Sequence, residues 1–262
     1  MEVFSLSLFN KMLASIGIGS AKVDTKLSSA SIRAGELVDG VVEIKGGNIE
    51  QKIDEIYLTL NTYYEKEVDD KKVQKQAVIS TIKLNEPFVI MPEESKSIPV
   101  QFQLPIDTPI STGGSKVWIK TGMDIKGSID PSDQDIINVL PHHLVEETLQ
   151  IFNQLGFKLR KVKNEEASFK IRKRLPFIQE FEFVPTSGPY FRKFDEVEVI
   201  FFPIDDERIE IIIEVDRRAR GFAGFLSEAL DLDETITKIT VSKSELATLK
   251  NKIETILERN SN

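Results

Sequence analysis

Between residues 32 and 64 apolar and polar positions alternate with a period of two. Val38, Gly40, Val42 and Ile44 share one face, with Asp39 and Glu43 on the other. After Gly46-Gly47, Ile56, Leu58 and Leu60 fall together while Tyr57, Thr59 and Asn61 point away. This period, bounded by turn residues, predicts two half-buried strands and an antiparallel sheet with one dry side. A dry face needs a cover, so a second sheet is expected against it.

The same pattern organises the flanking chain. Residues 4–18 predict a short amphipathic helix ended by Gly17 and Gly19, with Phe4, Leu8, Phe9, Met12, Leu13 and Ile16 on one stripe. A strand follows at once, so the helix is expected to cover the first sandwich. The functional alternative makes Phe4, Leu8, Met12 and Leu13 a docking face for a partner or a membrane surface. Lys11 is its only basic residue, which is sparse for a membrane-surface helix. From residue 20 to about 140 the pattern is nearly all strand. Val117, Ile119, Thr121, Met123 and Ile125 form one face, with Trp118 on the other beside Lys116 and Lys120. Pro99 marks its strand as an edge or a strand end.

Near Pro141 the pattern changes to a helix over 143–156, and a second strand series follows: FKLRKV, IQEFEFVP, EVEVIFFP, RIEIIIEVD and TITKITV. Asp205-Asp206 predicts a hairpin turn. Ser242 and Glu245 form a capping box for a closing helix with Leu246, Leu249, Ile253, Ile256 and Leu257 apolar. The expected fold is all-β with accessory helices: residues 1–140 make one sandwich with its leading helix, and 144–262 a second with its closing helix. The isoleucine-rich run 208–215 is either a central strand or an edge covered by another chain. The edge reading leads to partner pairing or self-association through a sheet edge of the second sandwich.

Composition narrows the function. A net charge of −8 and the absence of stacking aromatics among the basic clusters argue against nucleic acid as a partner. With no cysteine, thiolate catalysis and cysteine-ligated metals are excluded. The first residues lack the basic region and cleavage site of a secretory leader, and no apolar run reaches spanning length, so a cytoplasmic address is expected. His142 and His143, the only histidines, diverge by about 100° on a helix and make a poor chelate. Asp124, Asp130, Asp133 and Asp135 are hard-cation ligand types, but their spacing is not that of an EF-hand, and a solvated turn at Pro131 accounts for them. No catalytic, metal or cofactor site is assigned. Arg217, Arg218, Arg220, Phe222 and Phe225 combine arginine with aromatics, the chemistry of interface hot spots, and are the candidate partner-binding residues.

Longer stretches add a resemblance. MLASIGIGSAKVDT, IRAGELVDGVVEIKGG, QLPIDTPISTGGSKVWIKTGMDIKGSIDPSDQD, HHLVEETLQIFNQLGFKLRKV and VDRRARGFAGFLSEALDLDE resemble the sporulation-control protein family of bacilli (stage zero, M). The resemblance covers nearly the whole chain. It implies two arrestin-like β-sandwiches without enzymatic activity, and a cytoplasmic regulator of entry into sporulation that is linked to cell division and the cytoskeleton. The partners implied are proteins. The alternative is a peripheral membrane adaptor using the N-terminal helix or the 222–226 loop.

Overall fold

The computed structural model describes residues 13–14, 19–216 and 236–261. Its core is the stretch 32–64, and the two strands of that stretch lie in different sheets. β3 (Leu37–Lys45) is the middle of a three-stranded antiparallel sheet between β1 (Lys22–Leu27) and β7 (Ser95–Gln103). β4 (Gln51–Val68) belongs to the large sheet facing it. The chain crosses between layers at Gly46-Gly47, where a Cβ would stand 2.1 Å from the Met91 carbonyl and 2.1 Å from that of Gly19. Only glycine allows that approach.

The two faces read from the alternation therefore cover each other. Val38, Val42 and Ile44 are buried from one side and Ile56, Leu58 and Leu60 from the other. Each such side chain contributes roughly 1.5–3 kcal/mol on leaving water. β8 (Val117–Ile125) extends the large sheet beside β4, and its Thr121 Oγ1 meets Thr25 Oγ1 of β1 at 2.6 Å across the sandwich. β7 is an edge strand, as Pro99 predicts. Next in the large sheet come β9 (Ser132–Leu140) and β2 (Ser31–Arg33), which pair in parallel. On its other side β4 pairs with β5 (Lys71–Lys83) and β6 (Phe88–Ile90).

After the linker come α1 (His143–Gln154), β10 (Phe157–Glu166), β11 (Phe177–Pro185), β12 (Glu196–Asp205), β13 (Arg208–Asp216), β14 (Ile236–Ser242) and α2 (Leu246–Arg259). The five strands form an antiparallel meander in chain order. Ile209, Ile211, Ile213 and Val215 share its dry face, as read. Among the described residues the layer on that face is helical. Phe152 of α1 stacks on Phe183 at 4.6 Å, and Leu249, Ile253 and Leu257 of α2 are buried in the same core. The capping box is present: Ser242 N donates to Glu245 Oε2 at 3.0 Å, in a 3₁₀ turn that leads into α2.

Two points bear on the expected organisation. The run 208–215 is central, hydrogen-bonded to β12 and β14 on its two sides, so it offers no free edge. An isoleucine on every second position serves the dry face, while Ile212 on the opposite face packs in a second, smaller cluster. The break near Pro141 does fall between β9 and α1, yet neither the sheet nor the core stops there. β10 joins β4 in parallel through Glu65 and Glu165, and one hydrophobic cluster runs from Ala21 to Leu257.

Candidate functional site

The residues singled out for partner binding, Arg217, Arg218, Arg220, Phe222 and Phe225, lie outside the described residues, as do Phe4, Leu8 and Met12 of the predicted docking helix. Leu13 is helical and half-buried. Its neighbour Ala14 is buried, and the Ala14 carbonyl accepts from Ser128 Oγ, which also bonds Ser20 Oγ at 3.0 Å. The chain entering β1 is thus tied to the turn between β8 and β9.

The described chemistry gathers where the two halves meet. The loop 104–116 between β7 and β8 reaches the second half through Gln179, whose Oε1 accepts from Ile110 N and whose Nε2 donates to Ile110 O, both at 2.9 Å. Arg174, in the loop between β10 and β11, forks onto Asp107 with Nε–Oδ2 at 2.9 Å and Nη2–Oδ1 at 2.5 Å. Its Nη1 donates to the carbonyl of Ile79, at the β-bulge where β5 slips against β4. Asn164 of β10 donates to Thr62 Oγ1, the Tyr63 carbonyl and Ser115 Oγ. Arg33 spans Glu146 of α1, at 2.8 Å, and the Pro141 carbonyl.

Beside the Arg174–Asp107 and Gln179–Ile110 clasps lies a cavity of about 580 Å³. Its apolar wall includes Pro105, Pro109, Phe177, Phe181, Phe201 and Phe202, and its polar rim Asp107, His142, Lys173, Arg174 and Glu210. His142 is spent on structure: Nδ1 accepts from Leu144 N at 3.3 Å and caps α1. Burial, then the neighbouring His143, lower its pKa, so the ring is neutral. A neutral capping ring with its acceptor occupied is a poor general base. Lys173 and Lys238 both reach Glu210, at 3.4 and 2.8 Å.

A second feature is a ladder of buried acids. Glu182, Glu198 and Glu214 stand in register across β11, β12 and β13, and with Glu180 and Glu196 they are buried rather than solvent-facing. Burial, followed by Glu180, Glu214 and Glu196, pushes the Glu198 carboxyl up to about 9. Burial raises Glu180 to about 7, although Lys163 lies 3.0 Å away. For Lys163 burial lowers the pKa, but Glu180 and Glu165 outweigh it and hold the ammonium charged. Arg160 bridges Glu182 and Glu196. In the sequence the basic run KLRKVK and the acid-bearing run IQEFEFVP are fourteen residues apart, and only strand pairing sets them side by side.

The four aspartates do not converge. Asp130 accepts from Ile125 N at 2.9 Å in its turn, and Asp133 accepts from Thr25 N at 2.9 Å. Among the described residues no cluster of three potential ligands fits a metal ion. No helix among them is long and apolar enough to cross a membrane.

Comparison with known proteins bears on the whole chain. The model of the family described as "SpoOM protein" matches residues 9–219. The sporulation-control protein Spo0M of Bacillus subtilis (strain 168) is 44% identical over 253 residues, covering 97% of each chain. A crystal structure of Spo0M from Bacillus subtilis superposes with a TM-score of 0.86 and 44% identity, over 93% of this chain and 100% of that one. On sequence and fold together, this chain belongs to the SpoOM (Spo0M) protein family.

Proposed function

We propose that this protein is a non-catalytic cytoplasmic regulator of entry into sporulation that works by binding other proteins. A link to cell division and the cytoskeleton belongs to the same reading. The identity of 44% along 97% of both chains to a sporulation-control protein supports the process. The observation that carries the non-catalytic reading is the use of polar groups at the junction. Arg174, Asp107 and Gln179 hold one half of the fold to the other and His142 caps α1, uses that serve positioning rather than bond-making. The division into residues 1–140 and 144–262 remains part of this proposal, with the junction as a clamp between two interaction modules.

The test is replacement of spo0M by this chain in Bacillus subtilis, with heat-resistant spores as the count. Restored spore yield, together with recovery of the same bound proteins on affinity capture from sporulating cells, is the expected result. A chain that is expressed and folded but leaves spore yield at the level of the deletion overturns the reading. The N-terminal helix as a membrane anchor is the second reading. The burial of Ala14 and its bond from Ser128 favour a covering role for that segment.

A further inference from the structure

Among the described residues, Phe169 is the most exposed large apolar side chain, at 96%. It sits at the tip of the loop between β10 and β11, and the loop is held from both ends. Ala167 N donates to Pro176 O at 3.0 Å, closing the base, and Ile171 N and Arg172 N both turn back to Ser168 O at 3.2 and 2.9 Å. Ala167 and Ile171 are buried against Ile178, Ile200 and Ile212. Arg174 clamps the far side to Asp107. A phenylalanine with buried neighbours on both sides, itself left in water, forgoes the roughly 1.5–3 kcal/mol that burial would contribute. The fold displays this ring on a braced support.

The charge of the loop itself has one sign. Residues 167–176 contain Lys170, Arg172, Lys173 and Arg174 and no acid. Lys173 is committed to Glu210 and Arg174 to Asp107. Lys170 and Arg172, which follow Phe169 in the chain, are exposed and make no ion pair among the described residues. The parallel pairing of Glu65 with Glu165, and the Lys66–Glu166 bridge at 2.5 Å, send the β4–β5 turn out of the same end of the sheet. That turn adds Val68, 40% exposed, and Lys71, but also Asp69 and Asp70, so the basic character is confined to the Phe169 loop.

We propose that the Phe169 tip docks this protein on an anionic lipid surface, with the ring in the headgroup layer and Lys170 and Arg172 against the lipid phosphates. One ring and two cations of one loop offer too little area for a standard protein interface, which covers about 800 Å² per partner. A lipid headgroup layer needs no complementary shape: aromatic rings settle there, and basic side chains are attracted to the anionic surface. With a single aromatic and two free cations, the attachment is reversible and weakens with salt.

The full chain is sedimented with phosphatidylcholine vesicles with and without phosphatidylglycerol, beside Phe169→Ala and Lys170→Glu/Arg172→Glu. The expected result is binding to the anionic vesicles alone, reduced about fivefold by the first variant and about tenfold or more by the second. Phe169→Trp supplies an insertion readout, since Trp118 is buried; its emission is expected to shift to the blue on anionic vesicles. No sedimentation with anionic vesicles overturns the proposal, as does binding that both variants retain, which places the contact elsewhere, for instance on the N-terminal helix. Binding to soluble polyglutamate that both variants lose, without any binding to vesicles, assigns the tip to an acidic protein and also overturns it.

Discussion

The guanidinium of Arg174 grips the carboxylate of Asp107 with two hydrogen bonds, although the residues are 67 positions apart. One sits in the β7–β8 loop of the first half and the other in the β10–β11 loop of the second. The third hydrogen bond of Arg174, to the Ile79 carbonyl, ties in the bulge of β5. One side chain therefore joins three segments that share no local sequence.

This clasp gives the first prediction. Both side chains are partly exposed, 48% and 30%, so screening reduces what a forked pair contributes. Arg174→Ala is expected to cost about 1–2 kcal/mol, the lower range for charge-assisted bonds. In a double-mutant cycle with Asp107→Ala by urea unfolding, the coupling should reach about 1 kcal/mol. Strict additivity of the two variants contradicts the clasp.

Backbone geometry makes a sharper contrast. Gly156, just past α1, has φ +89, and a Cβ there would lie 2.3 Å from the Ser187 carbonyl. Gly127 has φ +76 with nothing near the Cβ position. Gly127→Ala should cost about 1 kcal/mol, the left-handed strain alone, and Gly156→Ala clearly more, because backbone must also move. Equal losses in thermal unfolding would rule this out.

Asp135 provides the pH test. Burial, then the neighbouring Asp133, push its carboxyl up to about 6, and its Oδ2 is buried without a hydrogen-bond partner. An acid with a raised folded pKa contributes fully below its unfolded value of about 3.9, and that contribution is lost as pH rises through about 6. Asp135→Asn should therefore raise the melting temperature above pH 6 and leave it unchanged near pH 4. A gain independent of pH would mean that Asp135 is not the titrating group.

The division at Pro141 is also testable. Residues 1–140 contain both sheets of the first sandwich, so the fragment should fold with a β-type circular dichroism spectrum. Cutting there exposes the β4 flank that meets β10 and removes the stacking of Phe177 on Tyr64 at 5.6 Å. A denaturation midpoint below that of the full chain is expected. An unfolded fragment would show that the continuous core, not the sandwich, is the folding unit.

Much of this architecture is local and was legible. Alternation at Val38–Ile44, Ile56–Leu60 and Ile209–Val215 identified strands and their dry faces, because strand side chains alternate sides regardless of what covers them. The capping box at Ser242–Glu245 and the hairpin read at Asp205-Asp206, whose turn falls one residue on at Asp206-Glu207, were equally visible, being set by residues a few positions apart. Alternation says which side a residue takes, not what lies against that side. Tertiary contacts bury Glu180, Glu182 and Glu198, charged residues that alternation alone does not assign to a core. Nor could alternation place β3 and β4 in opposite sheets, or close both edges of the 208–215 strand, since pairing partners come from distant segments. Arg174 meeting Asp107, and Phe169 left in water between buried neighbours, were decided by the same cause: the three-dimensional neighbours of a loop are not written in its own residues.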